Sequence, residues 1–467
     1  MANGFYDVVV GLQYGDEGKA RIVDSLADQY DIVARFNGGA NAGHTVQSKG
    51  VKLALAQIPC GVLHGDKILY IGSGCLLSLK KLKDELDALS AIGIDLEGRF
   101  LISPFCSVVQ PHQIALDLLD AAHLGTTGNG MGPAYADRAR RAYQGCLLNI
   151  RFGELLSKQD KMLAQMRANW HQHANSLETL EFDLPSYIEQ TAETLEALNK
   201  YVAPHGLYLQ EQLQKGARVV FEGAQSVMLD VARGTVPYVT ASHTFPSYAC
   251  CGGDVSPKFC RKIIGVAKAI MSRVGHGPFP SELGGRRSEE YCMLDAGKFN
   301  TREKESLQYN PRELLQREGD FELGIALRML CGEYGTKTGR PRRIGMLDLV
   351  QLRYAVNACS VDQLFLNRCD LLPLFSKSQY EAVPVVTAYS SAQNSIGTGE
   401  AELFSYTDAT NSVELFESFD INELSKHSLP EGLQALVNRI EVFCGCSARG
   451  LGIGPDREEI HWRSSVC

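Results

Sequence analysis

The stretch "VVVGLQYGDEGKAR", Val8 to Arg21, starts as an apolar run and ends in a glycine-rich turn that carries two acids and two bases. Its three consecutive valines read as a strand covered on both faces. A strand, a Gly-rich turn and then a helix offer backbone N–H groups and a helix N-terminus to a phosphate, and Lys19 adds a point charge. The match to a standard P-loop fails at both ends. Gln13 stands at the first glycine position, and Ala20 replaces the Ser or Thr that would ligate magnesium. A plain strand-to-helix connection therefore accounts for the pattern as well as a cradle does. What the ordinary cradle lacks is Asp16 and Glu17, because a carboxylate beside a phosphate holds Mg2+ or acts as a base.

Outward from this stretch, short aliphatic runs recur before Gly, Pro or Asn: "DIVARFNGG", "KILYIGSG", "RFLISPF", "ARVVFEGA" and "QLFLNRCD". Such runs predict strands buried on both faces of a mostly parallel sheet. Between them, Leu77 to Gly93 has apolar residues at three- and four-residue spacing and predicts a helix. From Phe152 to Gln214 the pattern becomes polar and Leu-punctuated, which predicts a helical insertion or subdomain. No repeat, low-complexity tract or long linker divides the chain, so residues 1–467 are expected to form one large α/β domain with subdivisions.

A formal net charge of -8 over 467 residues argues against overall attraction to nucleic acid or an acidic membrane, which leaves small molecules as the expected partners. The 14 cysteines are scattered without paired CxxC spacing and read as buried, reduced thiols. The first residues lack a basic segment followed by a long apolar one, and no 18-residue apolar run occurs, so a cytoplasmic location is the default expectation.

A second loop, "FNGGANAGHTV" (Phe36 to Val46), packs three glycines, two asparagines and His44. Dense glycine lets the backbone approach a ligand closely, and a histidine there can donate a proton or stabilise an oxyanion. A turn with a hydrogen-bonded core histidine is the plainer explanation.

The ordered set "QYGDEGK", "NGGANAGHTV", "GTTGNGMGPAYADRARR", "FEGAQSVMLD", "GTVPYVTAS", "RVGHGPFPSEL", "EYGTKTGRPRR", "NRCD" and "GIGPDR" resembles the adenylosuccinate synthetase family over most of the chain. That resemblance implies a large, mostly parallel central sheet flanked by helices, related to P-loop proteins. It also implies a GTP-dependent ligase of AMP biosynthesis that joins L-aspartate to IMP through a 6-phosphoryl-IMP intermediate. Asp16 would remove the purine N1 proton and, with the Gly43 carbonyl, bind Mg2+. His44 would be the acid for phosphoryl transfer, Lys19 would neutralise the moving phosphate, and Gln225 would complete the catalytic set. IMP would be held by Asp16, Asn41, Thr127, Gln225, Thr240, Val274 and Arg340, with Arg141 reaching across a homodimer.

By the same resemblance GTP would meet Gly15, Glu17, Gly18, Lys19, Gly43, His44, Thr45, Arg342 and Arg368, its guanine lying between Asp370 and Gly452, Gly454 and Pro455. Aspartate would be gripped by Lys337, Thr338, Arg340 and Arg342, on a basic loop that doubles as a candidate lid. The chain departs from the family pattern at Asn129, where an Arg or Lys is usual, and at Lys337, where Thr is usual. One cation is lost and another gained. Two other readings stay open here: a paralogue using another 6-oxopurine nucleotide or amino donor, and a nucleotide-binding regulatory protein without turnover.

Overall fold

The computed structural model describes residues 4–48, 50–124, 126, 128–177, 180–293, 300–335, 339–390, 395–396 and 410–463. Its chain groups into two compact units: Met1–Val10, Lys19–Gln225 and Thr240–Lys262 make the first, and Gly11–Gly18, Ser226–Val239 and Ile263–Cys467 the second.

The first unit is built on strands β1 (Phe5–Gly11), β2 (Ile32–Arg35), β3 (Ile68–Ile71), β4 (Phe100–Ile102) and β5 (Arg218–Ser226), in the spatial order β1-β5-β2-β3-β4. β5 pairs with β2, β2 with β3 and β3 with β4, each in parallel. The sequence explains the layering. Val8, Val9 and Val10 have no polar alternation, and all three are at most 1% exposed. Phe221 of β5 packs at a near right angle to Tyr6 and Phe36, with ring centroids 5.2 and 6.1 Å away. The helix predicted from Leu77 to Gly93 is found at Leu79–Ala91 and buries Leu79, Leu82 and Leu89. Between residues 152 and 214 lie the helices Phe152–Ser157, Gln159–Gln172, Leu184–Leu198 and Tyr208–Gln214. Asp183 caps the third of these by accepting from the Ser186 N–H at 3.0 Å.

The second unit carries β6 (Cys260–Lys268, from Ile263 on), β7 (Gln363–Asn367), β8 (Ala448–Gly452) and β9 (Ile460–Trp462), in the order β9-β8-β7-β6. β6–β7 and β7–β8 are parallel, and β8–β9 is antiparallel. Helices Leu349–Cys359 and Glu431–Cys444 pack together and bury their Leu, Ile and Val stripes. The α/β class and the mostly parallel sheet are those the sequence predicts, and all six apolar runs quoted above form strands. β8 has two glycines in five residues and does not read as a strand. Its Gly450 is required by close approach: a Cβ there would sit 2.6 Å from the Phe365 ring of β7. Among the described residues no helix is long and apolar enough to cross a membrane, and the described cysteines are mostly buried.

The second unit also buries a full ion pair. Arg328, on helix Asp320–Cys331, places Nη2 2.6 Å from Glu305 Oε1, with the two side chains 1% and 0% exposed. Tyr334 donates its hydroxyl to the same carboxylate. Removing one partner strands the other charge in a low-dielectric interior. The substitution Arg328→Met is expected to cost about 3–5 kcal/mol, read as a fall in the midpoint of thermal unfolding.

Candidate active site

The Gly-rich turn, Gly11–Gly18, lies in the second unit and is organised from inside by Glu17. This side chain is 1% exposed. Its Oε1 accepts from the Gln13 N–H at 3.2 Å and the Gly15 N–H at 2.8 Å, and the Ser226 hydroxyl donates to it as well. Two of the turn's N–H groups are therefore taken up by a carboxylate of the turn itself. Gln13 is clasped by the main chain of Lys268: its Nε2 donates to the carbonyl and its Oε1 accepts from the N–H, each at 3.0 Å. That double bond pair gives a reason for Gln where a P-loop has Gly. Asn367, at the end of β7, donates Nδ2 to the Glu17 carbonyl at 2.6 Å. A Cβ on Gly18 would meet that Nδ2 at 2.7 Å, and its φ of +87° is left-handed, so this position requires glycine.

The same constraints hold Asp16 at φ 58°, an unusual conformation for a non-glycine residue, with a side chain 42% exposed. Its Oδ2 lies 2.6 Å from Arg342 Nη2. Arg342 in turn places Nη1 2.8 Å from Glu333 Oε2. Glu333 is 3% exposed and gathers more positive charge, with Lys268 Nζ at 3.2 Å and Arg368 Nη2 at 3.7 Å, while Ser272 donates to it at 2.9 Å. Burial by itself would raise the Glu333 carboxyl, but Lys268, Arg342 and Arg368 outweigh it and hold the group well below the usual carboxylate range. The proposed base and an arginine assigned to the substrates thus belong to one chain of ion pairs anchored on a buried acid.

The first unit contains the other cluster. His44 opens the strand His44–Ser48, which pairs antiparallel with Val51–Leu55. Its Nδ1 is 2.5 Å from Glu222 Oε1, and the two side chains are 6% and 0% exposed. Cys60 lies against the same carboxylate. His44, Cys60 and Glu222 each bring one metal-ligand atom within 4.8 Å of the others. His44 Nδ1 and Cys60 Sγ lie only 2.5 and 2.8 Å from Glu222 Oε1, as donors to a carboxylate rather than as fellow ligands of an ion. Ligand atoms around one ion with bonds of about 2.0–2.3 Å sit farther apart than this.

Nearby in sequence, Asn41 donates to Thr240 Oγ1 at 3.5 Å. Asn41 Oδ1 and Gln225 Oε1 are buried without a hydrogen-bond partner among the described residues, and Gln225 adopts φ 55°. Orphaned acceptors of this kind suit a polar ligand. Lys19 begins helix Lys19–Leu26 and is buried, whereas Gly43 and Thr45 are exposed. Asn129, where the family pattern has a cation, is 5% exposed and receives the ammonium of Lys81 on its Oδ1. A positive charge thus stands beside this loop position from helix Leu79–Ala91. Arg141 is exposed just past helix Met131–Arg140.

Asp370 follows the C-terminal end of β7, and Gly452 ends β8 with Gly454 and Pro455 after it; the two strands are neighbours with Leu366 opposite Leu451. Open α/β sheets bind ligands at such ends. Arg340 is half-buried, and Val274 is 57% exposed. Thr127, Lys337 and Thr338 lie outside the described residues. Four groups around these clusters escaped sequence reasoning: Glu222, Cys60, Lys268 and Glu333. A signal existed for two of them. Glu222 is an acid inside the apolar strand "RVVFEGAQS", and Glu333 opens the quoted "EYGTKTGRPRR".

The family model for adenylosuccinate synthetase matches residues 8–461. The chain belongs to the adenylosuccinate synthetase family. It is 44% identical over 461 residues to adenylosuccinate synthetase 2 of Cupriavidus pinatubonensis, covering 98% of this chain and 97% of that one. It is 33% identical over 467 residues to adenylosuccinate synthetase of Chlorobium limicola, with 98% and 97% covered. The solved structure of fully ligated adenylosuccinate synthetase from Plasmodium falciparum superposes with a TM-score of 0.81 at 26% identity, covering 99% of this chain and 100% of that one.

The Glu333 anchor makes a pH-dependent prediction. A carboxyl depressed on folding adds stability that is present in full above its unfolded value, about 4.3, and is lost as pH falls towards the folded one. The substitution Glu333→Gln is expected to cost about 3–5 kcal/mol near neutral pH. In thermal unfolding from pH 7 to 3, the gap to the unsubstituted protein should narrow below about pH 4. A gap independent of pH would remove Glu333 from this role.

Proposed function

We propose that this chain ligates L-aspartate to IMP, driven by GTP, through a 6-phosphoryl-IMP intermediate, and releases adenylosuccinate, GDP and phosphate as a carbon–nitrogen ligase of AMP biosynthesis. The observation that carries this reading is the family match along residues 8–461. The geometry of Asp16 adds to it: an exposed carboxylate held in a left-handed turn and paired to Arg342 at 2.6 Å.

A purine 6-oxo group leaves poorly, so it must first be made a better leaving group by phosphorylation. In our reading Asp16 withdraws the N1 proton and thereby raises the nucleophilicity of O6. His44 and Lys19 counter charge on the phosphoryl group as it transfers. Since Asp16 is paired with Arg342, taking that proton requires the carboxylate to share or exchange its partner. Asn41, Thr127, Gln225, Thr240, Val274 and Arg340 would hold IMP, Asp370 with the Gly452–Pro455 segment the guanine, and Lys337, Thr338, Arg340 and Arg342 the aspartate. The orphaned acceptors of Asn41 and Gln225 support the first of these assignments.

Mg2+ is the inferred cofactor. The exposed Asp16 carboxylate and the Gly43 carbonyl are hard oxygen donors of the type this ion takes, and they would hold it. When bound, it supplies positive charge against the phosphates. A cytoplasmic homodimer, with Arg141 completing its partner's IMP site, belongs to the same proposal.

A panel combining IMP or dGMP, GTP or ATP, and aspartate or other amino acids tests it, with adducts read by mass. Adenylosuccinate should form from IMP, GTP and aspartate; no adduct with any combination would refute the assignment. Asp16→Asn and His44→Asn should each lower kcat by at least about 100-fold, the usual contribution of acid–base groups, while nucleotide binding measured by calorimetry persists. Asp370→Asn should weaken GTP far more than IMP, because the guanine N1–H and amine lose an anionic acceptor.

A further inference from the structure

We propose that Glu222 is a positioning residue for His44, clasping imidazole Nδ1 so that Nε2 is the nitrogen presented to the reaction, with Cys60 fixing the carboxylate from behind. This rests on the reading of His44 given above. The site lies wholly within the first unit.

Both carboxylate oxygens are engaged. Oε1 meets His44 Nδ1 at 2.5 Å and accepts from the Cys60 thiol at 2.8 Å, while Oε2 accepts from the Cys60 N–H at 2.9 Å. Gripped at two points on a strand residue that is 0% exposed, Glu222 cannot rotate away or exchange its partner for water. Burial alone would push its carboxyl up, but His44, the buried Arg35 guanidinium and the Cys60 donors outweigh that and bring it to about 2. It is therefore an anion that only accepts. The Cys60 thiol is driven the other way, by its own burial and by the Glu222 charge, so it keeps its proton and donates.

An acceptor-only partner at Nδ1 keeps a proton on that nitrogen, and Nε2 then donates towards the phosphoryl group only when the ring carries its second proton. The same contact sets the direction of Nε2. A rotating or mixed-tautomer imidazole would spend much of its time with the wrong nitrogen aimed at the phosphoryl group. Neither Glu222 nor Cys60 needs to touch substrate for this.

The test replaces Glu222→Gln, which keeps the shape but supplies an amide that can donate. Expected are a fall in kcat of about 10–100-fold, the range for carboxylates that orient metal-bound histidines, KM for IMP and GTP within about threefold, and 15N-histidine NMR showing His44 shifted from the Nδ1–H tautomer to a mixture. Cys60→Val should lower kcat in the same sense, and Cys60→Ser, which retains a donor, should recover most of that loss. A Glu222→Gln protein with kcat within threefold, or with the tautomer unchanged, overturns the proposal. Should that variant fail to fold, the Cys60→Val and Cys60→Ser pair decides by the same two readouts, equal kcat and tautomer in both overturning it. His44→Asn separates this from failure of the underlying reading. Undiminished turnover in His44→Asn sinks the role of His44 itself, whereas loss there with normal Glu222→Gln turnover sinks the positioning role alone.

Discussion

A carboxylate shut inside a glycine-rich turn, that of Glu17, is the constraint on which the geometry of Asp16 depends. Taken out of water, it must be satisfied by donors, and those within reach include the Gln13 and Gly15 N–H groups and the Ser226 hydroxyl. Meeting that demand curls the backbone through left-handed conformations at Gly15, Asp16 and Gly18. The neighbouring acid is then left facing outward. Two adjacent carboxylates of the same chemistry thus have opposite fates: one is buried within the turn, and the other is exposed and paired with Arg342.

The same physics recurs in each unit. Glu333 and Glu222 are both buried acids held ionised by what surrounds them. Glu333 is surrounded by long cations and so organises charge, with Lys268, Arg342 and Arg368 converging on it. Glu222 is surrounded by a ring nitrogen and a thiol and so fixes direction. Buried ion pairs add little net stability, because desolvation offsets much of the attraction. What they supply is a defined position for a group that would otherwise sample many rotamers, and phosphoryl transfer depends on position and electrostatics more than on any covalent role for the protein.

Much of the fold was legible in the chain because strands covered on both faces leave continuous apolar runs, as at Val8 to Val10 and in "ARVVFEGA". β8 was not legible. Its Gly450 is there to admit the Phe365 ring, which is a requirement of packing and not of local preference. The site divided in the same way. Asp16, Lys19 and His44 stand in glycine-rich loops, where composition announces close approach to a ligand. Glu222, Cys60, Lys268 and Glu333 sit in or beside regular elements, where a lone polar residue reads as an exception until its partners, more than a hundred residues away for Cys60 and Glu222, are seen.

By itself the sequence determined the α/β class, the glycine-rich turn and the family, because periodicity and ordered motifs are local or linear properties. Only the tertiary structure decided which acid of the Asp16–Glu17 pair faces outward, that Gln13 is clasped by Lys268, and that Lys81 brings a cation to Asn129. The physical reason is common to all three. A hydrogen bond or ion pair in a buried place is set by what lies across a few ångströms, and nothing in the order of residues along a chain fixes that until the chain has folded.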